Sequence, residues 1–392
     1  MSKLDELIAE LCPNGVEYVR LAECCDIEDN KRKPVKSSLR IPGNTPYYGA
    51  NNIQDYVEGY THCGQYVLIA EDGSASLEKY SVQYADGFFW ANNHVHVIKG
   101  HKDLDTKFLY YYLTSFNFIP FLTGGTRAKL NKGNMEKIPI PLPPLPVQQE
   151  IVRILDNFTE LTTELTTELT ARRKQYEYYR DLLLTFGDEV EWIKLGEIAD
   201  VTKLAGFEFT EHVRYSDSGK IIALRGLNVK DGRLDLSQVK YIDGSNFQKL
   251  SRSKLIIGDM LFTYVGTVGQ VALIDKNDTY YLAPNVARIR FAAKSINPNF
   301  MRYYFQTNHF VRKQINRYME SSSMKNLTME NIRKFLVPIP PLEEQERIVA
   351  ILDRFDALCN DLTSGIPAEI EARQKQYEYY RDKLLSFKEV TA

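Results

Sequence analysis

The octapeptide KQYEYYRD stands twice in this chain, at Lys174–Asp181 and at Lys375–Asp382, 201 positions apart. Such identity within 392 residues marks an internal repeat, and a repeat has to be settled before the fold is read. The match extends outward. Ala171–Phe186, ARRKQYEYYRDLLLTF, and Ala372–Phe387, ARQKQYEYYRDKLLSF, differ only at Arg173/Gln374, Leu182/Lys383 and Thr185/Ser386. Upstream, PLPVQQEIVRILDNF (Pro144–Phe158) aligns with PLEEQERIVAILDRF (Pro341–Phe355) at an offset of 197, so the second copy carries four extra residues between its blocks. Weaker matches link Glu17–Ile27 to Glu191–Val201 and Phe88–Val97 to Tyr280–Ile289. The chain is a tandem duplication, each copy a divergent globular part followed by a well-matched helical part.

The matched blocks carry apolar residues three and four apart: Ile151, Ile154, Phe158, Leu161, Leu165, Leu169, Tyr176, Tyr179, Leu183, Phe186 in the first copy. That is one face of a long helix. Ile348, Ile351, Phe355, Leu358, Leu362, Ile366, Ile370, Tyr377, Tyr380, Leu384 and Phe387 repeat it in the second. The stretches Ile138–Pro146 and Val337–Pro341 are proline-rich and stop either helix from starting earlier. A helix of about 38 residues is ~57 Å long, too long for the core of one small domain. Two such helices with matching stripes are expected to pack as an antiparallel coiled coil. The first spacer is TELTTELTTELT (Thr159–Thr170); the second contains Ser364-Gly365-Ile366-Pro367, which predicts a break or kink there. The globular parts are rich in short strand-like segments such as QYVLIA, HVHVIKG, KIIALRG, DMLFTYVG and VARIRF, bounded by turn residues. One helix is expected near Thr106–Phe116 and its counterpart near Pro298–Arg317. The fold class is thus mixed α/β (α+β), a pseudo-twofold repeat. Globular domains fall at 1–145 and 189–342, a central helix at 146–188 and a C-terminal helix at 343–392.

Hydrophobic residues make up 44% and charged residues 26% of the chain, usual for a globular protein. No apolar run reaches the ~20 residues that span a bilayer. MSKLDELIAELCPNG at the start lacks the basic and apolar regions of a signal peptide, and the five cysteines form no C-x-x-C pair, so a cytoplasmic setting with reduced thiols is expected. The net charge of −2 means that any nucleic-acid binding rests on local basic patches.

Catalytic signatures are missing. The chain has no G-x-x-x-x-G-K-[ST] loop, no G-x-G-x-x-G turn, no Asn-Pro-Pro or Asp-Pro-Pro run and no Pro-Asp dipeptide. Asn93-His94-Val95-His96 puts two histidines on one strand face, but no Cys or third His stands at metal-ligand spacing. Packed or hydrogen-bonded histidines are the better reading, and Arg288, the match to His96, fits variable recognition better than a metal. No catalytic residue and no metal ligand is therefore assigned.

Basic, small-residue patches recur at matching places. KRKPVKSSLR supplies Lys31, Arg32, Lys33, Lys36 and Arg40; TGGTRAKLNK supplies Thr126, Arg127, Lys129 and Lys132. In the second half Arg317, Ser321, Ser322, Ser323 and Lys325 stand just before the proline-rich hinge, as Thr126–Lys132 do in the first, with Arg225 and Thr267 as further candidates. Small residues let a backbone approach phosphate, and Arg and Lys neutralise it or read guanine edges; a solvated surface face is the alternative for each patch. The octapeptides raise another point. Cores tolerate swaps of similar volume, so identity across charged surface residues implies that something else reads them. Two equal surfaces imply two equal partners. Candidates for docking or helix pairing are Ile151, Phe158, Lys174, Tyr176, Tyr179, Arg180, Ile348, Phe355, Lys375, Tyr377, Tyr380 and Arg381.

Taken together, the I-P-x-P-P-L segments, Gln148 and Gln345, the I-V-x-I-L-D-x-F blocks and the paired R-x-K-Q-Y-E-Y-Y-R-D make the chain closely resemble the specificity subunit of type I DNA restriction-modification enzymes, over essentially its whole length. The Thr-Glu-Leu-Thr spacer resembles one subclass, in which such repeats set the spacing of the DNA site. The resemblance implies two target-recognition domains, each reading one half of an asymmetric bipartite site in double-stranded DNA. It implies a coiled-coil ruler that docks two modification (methyltransferase) subunits, with two restriction subunits in the full complex and no membrane partner. The chain itself would be non-catalytic and without cofactor; S-adenosylmethionine, ATP and Mg belong to the partners. Two rival readings stay open at this point: a coiled-coil interaction scaffold without a DNA role, and a silent copy that serves as a recombination donor.

Overall fold

The computed structural model describes residues 3–124, 128–204, 206–319, 326–361 and 364–390. It divides into two compact units, residues 1–166 with 369–392, and residues 167–368.

The first unit carries two four-stranded sheets. In one, strands Cys25–Ile27, Val95–Gly100, Tyr66–Ala70 and Val82–Ala85 lie side by side, all antiparallel. All five residues of Tyr66–Ala70 are buried, so its unbroken apolar run is a central strand with both faces covered. In the other, the order is Ile53–Val57, Pro42–Tyr48, Phe88–Ala91, His62–Cys63, and Pro42–Tyr48 runs parallel to Phe88–Ala91. The second unit repeats the plan. Ala199–Lys203, Val286–Phe291, Met260–Thr263 and Val271–Leu273 form the antiparallel sheet, and Ile222–Leu224 runs parallel to Tyr280–Leu282 beside Lys240–Tyr241. Each proline-rich hinge makes a two-stranded ribbon, Pro139–Pro141 on Tyr18–Arg20 and Leu336–Ile339 on Glu191–Lys194. Prolines are tolerated there because a two-strand ribbon has free edges.

The central helix runs Leu145–Leu183. Within the first unit its early part lies antiparallel to the last helix, Ile366–Leu384: Phe158 stacks on Tyr380 at 5.6 Å, and Val147 and Ile151 share a core with Leu385. Within the second unit its late part lies antiparallel to helix Leu342–Asn360. There Tyr176 and Tyr179 face Phe355, and Arg173 reaches the Cys359 carbonyl. The C-terminal helical block is two helices, one ending at Asn360 and the next starting at Ile366, with Pro367 in its first turn. Each globular part also receives the end of the other repeat's helical block. Phe387 packs on Phe108 at 6.2 Å, and Phe186 on Phe300 at 6.0 Å, at matched positions. The chain end is tied further, with Val16 N donating to Lys388 O and Val390 N to Val16 O.

Helix Thr106–Ser115 is capped by Asp105, which accepts from Lys107 N and Phe108 N. Its expected counterpart over Pro298–Arg317 is not one helix. Pro298–Tyr304 ends, and Thr307 caps a new turn by accepting from Phe310 N, followed by a wider π-type turn at Val311–Ile315. A threonine hydroxyl competing for backbone donors is the cause of the restart.

One buried side chain joins hinge, sheet loop and long helix in each unit. Gln148 is fully buried; its Oε1 accepts from Asp105 N (2.8 Å), and its Nε2 donates to Asp103 O (2.9 Å) and Pro143 O (2.7 Å). Gln345, also fully buried, accepts from Asn297 N (2.8 Å) and donates to Ser295 O (2.9 Å) and Pro340 O (2.8 Å). Prolines supply no N–H, so the glutamine amide is what satisfies these groups. Two phenols at matched positions act alongside: Tyr111 Oη donates to Asp156 (2.6 Å) and Tyr303 Oη to Asp353 (2.5 Å). Gln148→Ala or Gln345→Ala takes the partner from three backbone groups, of which the hinge carbonyl is buried and the other two are part-buried, so each is expected to lower stability by about 1–3 kcal/mol; urea unfolding measures it, and a change under about 0.5 kcal/mol would refute the clasp.

Candidate nucleic-acid interface and docking faces

The register of the parallel strand pairs aligns the two units residue by residue. Tyr47 lies opposite Trp90, and Leu224 opposite Leu282. The next residues are therefore equivalent: Tyr48 with Arg225, Gly49 with Gly226, Ala50 with Leu227, Asn51 with Asn228. Beside these strand ends, the chain leaving Tyr66–Ala70 turns at Gly73 (φ 71°), and the chain leaving Met260–Thr263 turns at Gly266 (φ 77°). Both glycines occupy the left-handed region that favours them. A third segment then arrives at the same edge. Asp72 bridges to Lys129 in the first unit and Val265 to Asn326 in the second, at matched positions just before the hinge. Each unit thus assembles one rim from the same three pieces of chain. The frame is shared, but Tyr48, Ala50, Asp72 and Asn92 in one rim are replaced by Arg225, Leu227, Val265 and Pro284 in the other. The shared asparagines also serve differently. Asn51 holds the glycine turn through Gly73 O and Ala75 N, both at 2.8 Å, whereas buried Asn228 holds its own loop through Asp235 O and Gln238 O, both at 2.9 Å.

The basic candidates divide into exposed and internal groups. Lys33 and Lys36 are exposed, and Lys33 lies 5.9 Å over the Trp90 ring. Lys31 is exposed but paired with Glu28 at 2.8 Å. Arg40 is stacked 4.1 Å over Tyr47 and donates to Val35 O. Arg32 is turned inward, donating to Glu71 (2.8 Å), Val95 O (2.7 Å) and Asp29 O (3.0 Å). Lys129 pairs with the same Glu71 at 2.8 Å, and Lys132, beside the cap residue Asn131, lies 3.9 Å from Glu136. Arg317 is exposed, 5.5 Å from the Tyr318 ring. Thr126, Arg127, Ser321, Ser322, Ser323 and Lys325 lie outside the described residues.

His96 is 1% exposed, with Nδ1 2.6 Å from Asp29 and Nε2 2.8 Å from Leu130 O, while His94 meets Asp72 at 2.6 Å. The two histidines therefore have separate partners. Burial works to raise the Asp29 carboxyl, but His96, Val97 N and Arg32 outweigh it and hold the pKa below its usual value. This network ties the start of the KRK stretch to the segment reaching the rim. Arg288 is 6% exposed, donates to Arg252 O (2.9 Å) and pairs with Asp200; the strand registers, Ile27 with Ile98 and Val201 with Ile289, put it at the place of Val97 and not of His96. Its role in this position is internal packing, which corrects the expectation of a recognition residue.

In the second unit the rim opens onto a cavity of about 390 Å³ whose walls include Phe209, Tyr215, Arg225, Thr263, Thr267 and Asn285. Sequence patterns pointed to Arg225 and Thr267; Phe209, Tyr215 and Asn285 join them only through the fold. The glycines at matched positions just past two of these strands, Gly49 and Gly226, were the available signal.

The helical faces are alike in both copies. Ile151 and Ile348 are fully buried, and Tyr176 is nearly so; burial pushes the phenols of Tyr176 and Tyr377 up to about 12. Arg180 lies 5.7 Å from the Tyr176 ring and pairs with Asp181, as Arg381 lies 5.7 Å from Tyr377 and pairs with Asp382. Tyr179 stacks on Phe355 and Tyr380 on Phe158. Lys174 and Lys375 are exposed. Sequence reading missed the most exposed tyrosines of the repeat, Tyr178 at 65% and Tyr379 at 63%. They stand off the apolar stripe, which is the signal that could have found them.

Residues 13–172 and 187–372 match the family model of the type I restriction modification DNA specificity domain. A type I restriction enzyme specificity subunit from Haemophilus influenzae is 45% identical over 382 residues, covering 95% of this chain and 96% of that protein. The EcoR124I/EcoR124II specificity subunit of Escherichia coli is 36% identical over 295 residues, covering 72% of this chain and 70% of its own. Among solved structures, the type I restriction-modification S subunit from M. genitalium has the same fold, with TM-score 0.54 at 16% identity, covering 94% of this chain and 95% of that one. A chain from a structural study of assembly of the type I system gives 0.58 at 17% identity, covering 95% and 98%. The chain belongs to the type I restriction-modification DNA specificity family. Members are the recognition component of such systems, not the catalytic one. No helix among the described residues is long and apolar enough to cross a membrane.

Losing a stacked ring from a helix pair costs about 1 kcal/mol beyond its area, whereas an exposed ring costs under about 0.5 kcal/mol. Tyr179→Ala and Tyr380→Ala are therefore expected to lower the urea midpoint clearly, and Tyr178→Ala and Tyr379→Ala to leave it in place. Equal effects at all four would remove the distinction between pairing and outward-facing tyrosines.

Proposed function

We propose that this chain is the DNA-reading subunit of a type I restriction-modification complex. Residues 1–145 read one half of an asymmetric, bipartite target and residues 189–342 the other. The helical segments at 146–188 and 343–392 act as the spacer and dock two copies of the modification subunit, with restriction subunits joining in the full complex; the work is done in the cytoplasm. The reading rests on one observation: the two units share a backbone frame at the rim yet present different side chains there, while their helical faces are nearly identical. Different rims fit two different half-sites. Identical helical faces, each with an outward tyrosine at the matched position, fit two copies of one partner.

Contacts to phosphate fix position and contacts to base edges specify sequence. Exposed Lys33, Lys36 and Arg317 are assigned to phosphate, and the rim residues to bases. A scaffold without a DNA role would bind its partners independently of salt at these lysines, whereas a DNA reader loses affinity steeply between about 50 and 200 mM salt.

Each Thr-Glu-Leu-Thr unit adds ~6 Å of helix, nearly two base pairs at ~3.4 Å each. Deleting Thr159–Thr162 is expected to shorten the non-specific gap of the target and leave both half-sites unchanged. Adenine-methylation mapping of cells carrying the wild-type or deleted gene reads both at once. A gap of unchanged length in the deletion strain would sink the spacer role; no methylated bipartite motif in the wild type would sink the recognition role.

A further inference from the structure

Three arginines of the second unit, Arg225, Arg288 and Arg302, have an Nε that is shut off from solvent and has no partner among the described residues. Two of them are otherwise accounted for. Arg288 pairs with Asp200, and Arg302 with Asp353, while its guanidinium covers the Tyr303 ring at 4.2 Å. Arg225 has no carboxylate partner among the described residues; one guanidinium branch donates to Gln238 O at 2.9 Å. Arg225 forms part of the wall of the cavity of about 390 Å³. A part-buried guanidinium with unspent donors is costly unless acceptors reach it. The site is built to hold it. Arg225 N donates to the side chain of buried Asn228 (3.1 Å), and Asn228 fixes the loop through two further carbonyls. The cavity also has an aromatic side, where Phe209 and Tyr215 lie 5.5 Å apart. Its mouth is at the rim, where Leu227 is 51% exposed and Thr267 is exposed.

We infer that Arg225 is a specificity-determining residue of the second unit and that it reads a guanine. A guanidinium presents two parallel N–H groups, and the guanine major-groove edge presents two acceptors, O6 and N7, at matching spacing. Adenine offers a donor at one of those places and is rejected. The equivalent position of the first unit is Tyr48, which has no fork, so the two half-sites differ at the base pair that this position meets. This inference rests on the recognition role proposed above and names one contact within it.

The test uses the modification complex reconstituted with this chain and duplexes of its mapped target, each base pair of both half-sites changed in turn. In the wild type, one G·C pair of one half-site is expected to discriminate strongly. Arg225→Ala lowers discrimination at that pair by about 10- to 100-fold and leaves the other half-site as it was. Arg225→Lys, which keeps the charge and loses the fork, gives an intermediate loss at the same pair. Retained discrimination in the other half-site is the control for folding. A uniform loss across all sequences with a shallower salt dependence means that Arg225 holds a phosphate, and it overturns the inference. So does unchanged discrimination, or a target with no G·C pair in either half-site. A wild-type complex that prefers no sequence overturns the recognition role itself, a result distinct from failure of Arg225 alone.

Discussion

A buried glutamine amide holds each unit together at the point where three kinds of chain meet. The proline-rich hinge has few backbone N–H groups with which to secure itself, because its prolines have none. Gln148 and Gln345 answer that deficit with the same three bonds, to a hinge carbonyl and to both sides of a helix-capping loop. The amide has one strong acceptor and two donors, and every one is used. Because the glutamine itself stands in the first turns of a long helix, the clasp fixes where that helix leaves the globular part. Tyr111–Asp156 and Tyr303–Asp353 repeat the constraint one layer along.

With the departure of the helices fixed, the duplication could diverge in one place and stay constant in another. The four-stranded antiparallel sheet keeps its order and the parallel pair recurs in both units, while the sheet that holds this pair has four strands in the first unit and three in the second. At the strand ends the residues differ. Along the helices the reverse holds. Phe158, Phe355, Tyr179 and Tyr380 face one another in pairs, which constrains one stripe. The charged and aromatic residues off that stripe are constrained as well, and packing does not account for them. The equal surface in the two copies and the unequal rim are the two observations on which the proposed function rests.

The basic stretches show how a charge run misleads when it is read without a fold. Within KRKPVKSSLR, Lys33 and Lys36 reach solvent, while Arg32 is an internal cross-link between Asp29, Glu71 and Val95. Spacing along the chain could not separate them, because Glu71, the closer of the two acids that claim Arg32, lies 39 residues away. The same is true of Lys129, which shares Glu71, and of Arg288, whose partner Asp200 comes from the neighbouring strand. The aromatic lining of the second-unit cavity was hidden for a similar reason, since Phe209, Arg225, Thr263 and Asn285 come from four separate segments.

The sequence by itself determined the duplication, the long helices, the break before Pro367 and the antiparallel pairing of the stripes, while the family entered as a resemblance of its motifs. All of these follow from local signals: periodicity near 3.6, proline stops and near-identical blocks within one chain. Only the tertiary structure decided which residues make the rim, which arginines are neutralised internally, and that the expected helix over Pro298–Arg317 restarts at Thr307. It also showed that Phe387 closes on Phe108 and Phe186 on Phe300. Those outcomes depend on partners far apart in the chain, and a pattern read along one dimension carries no information about which distant carboxylate, carbonyl or ring a side chain will meet.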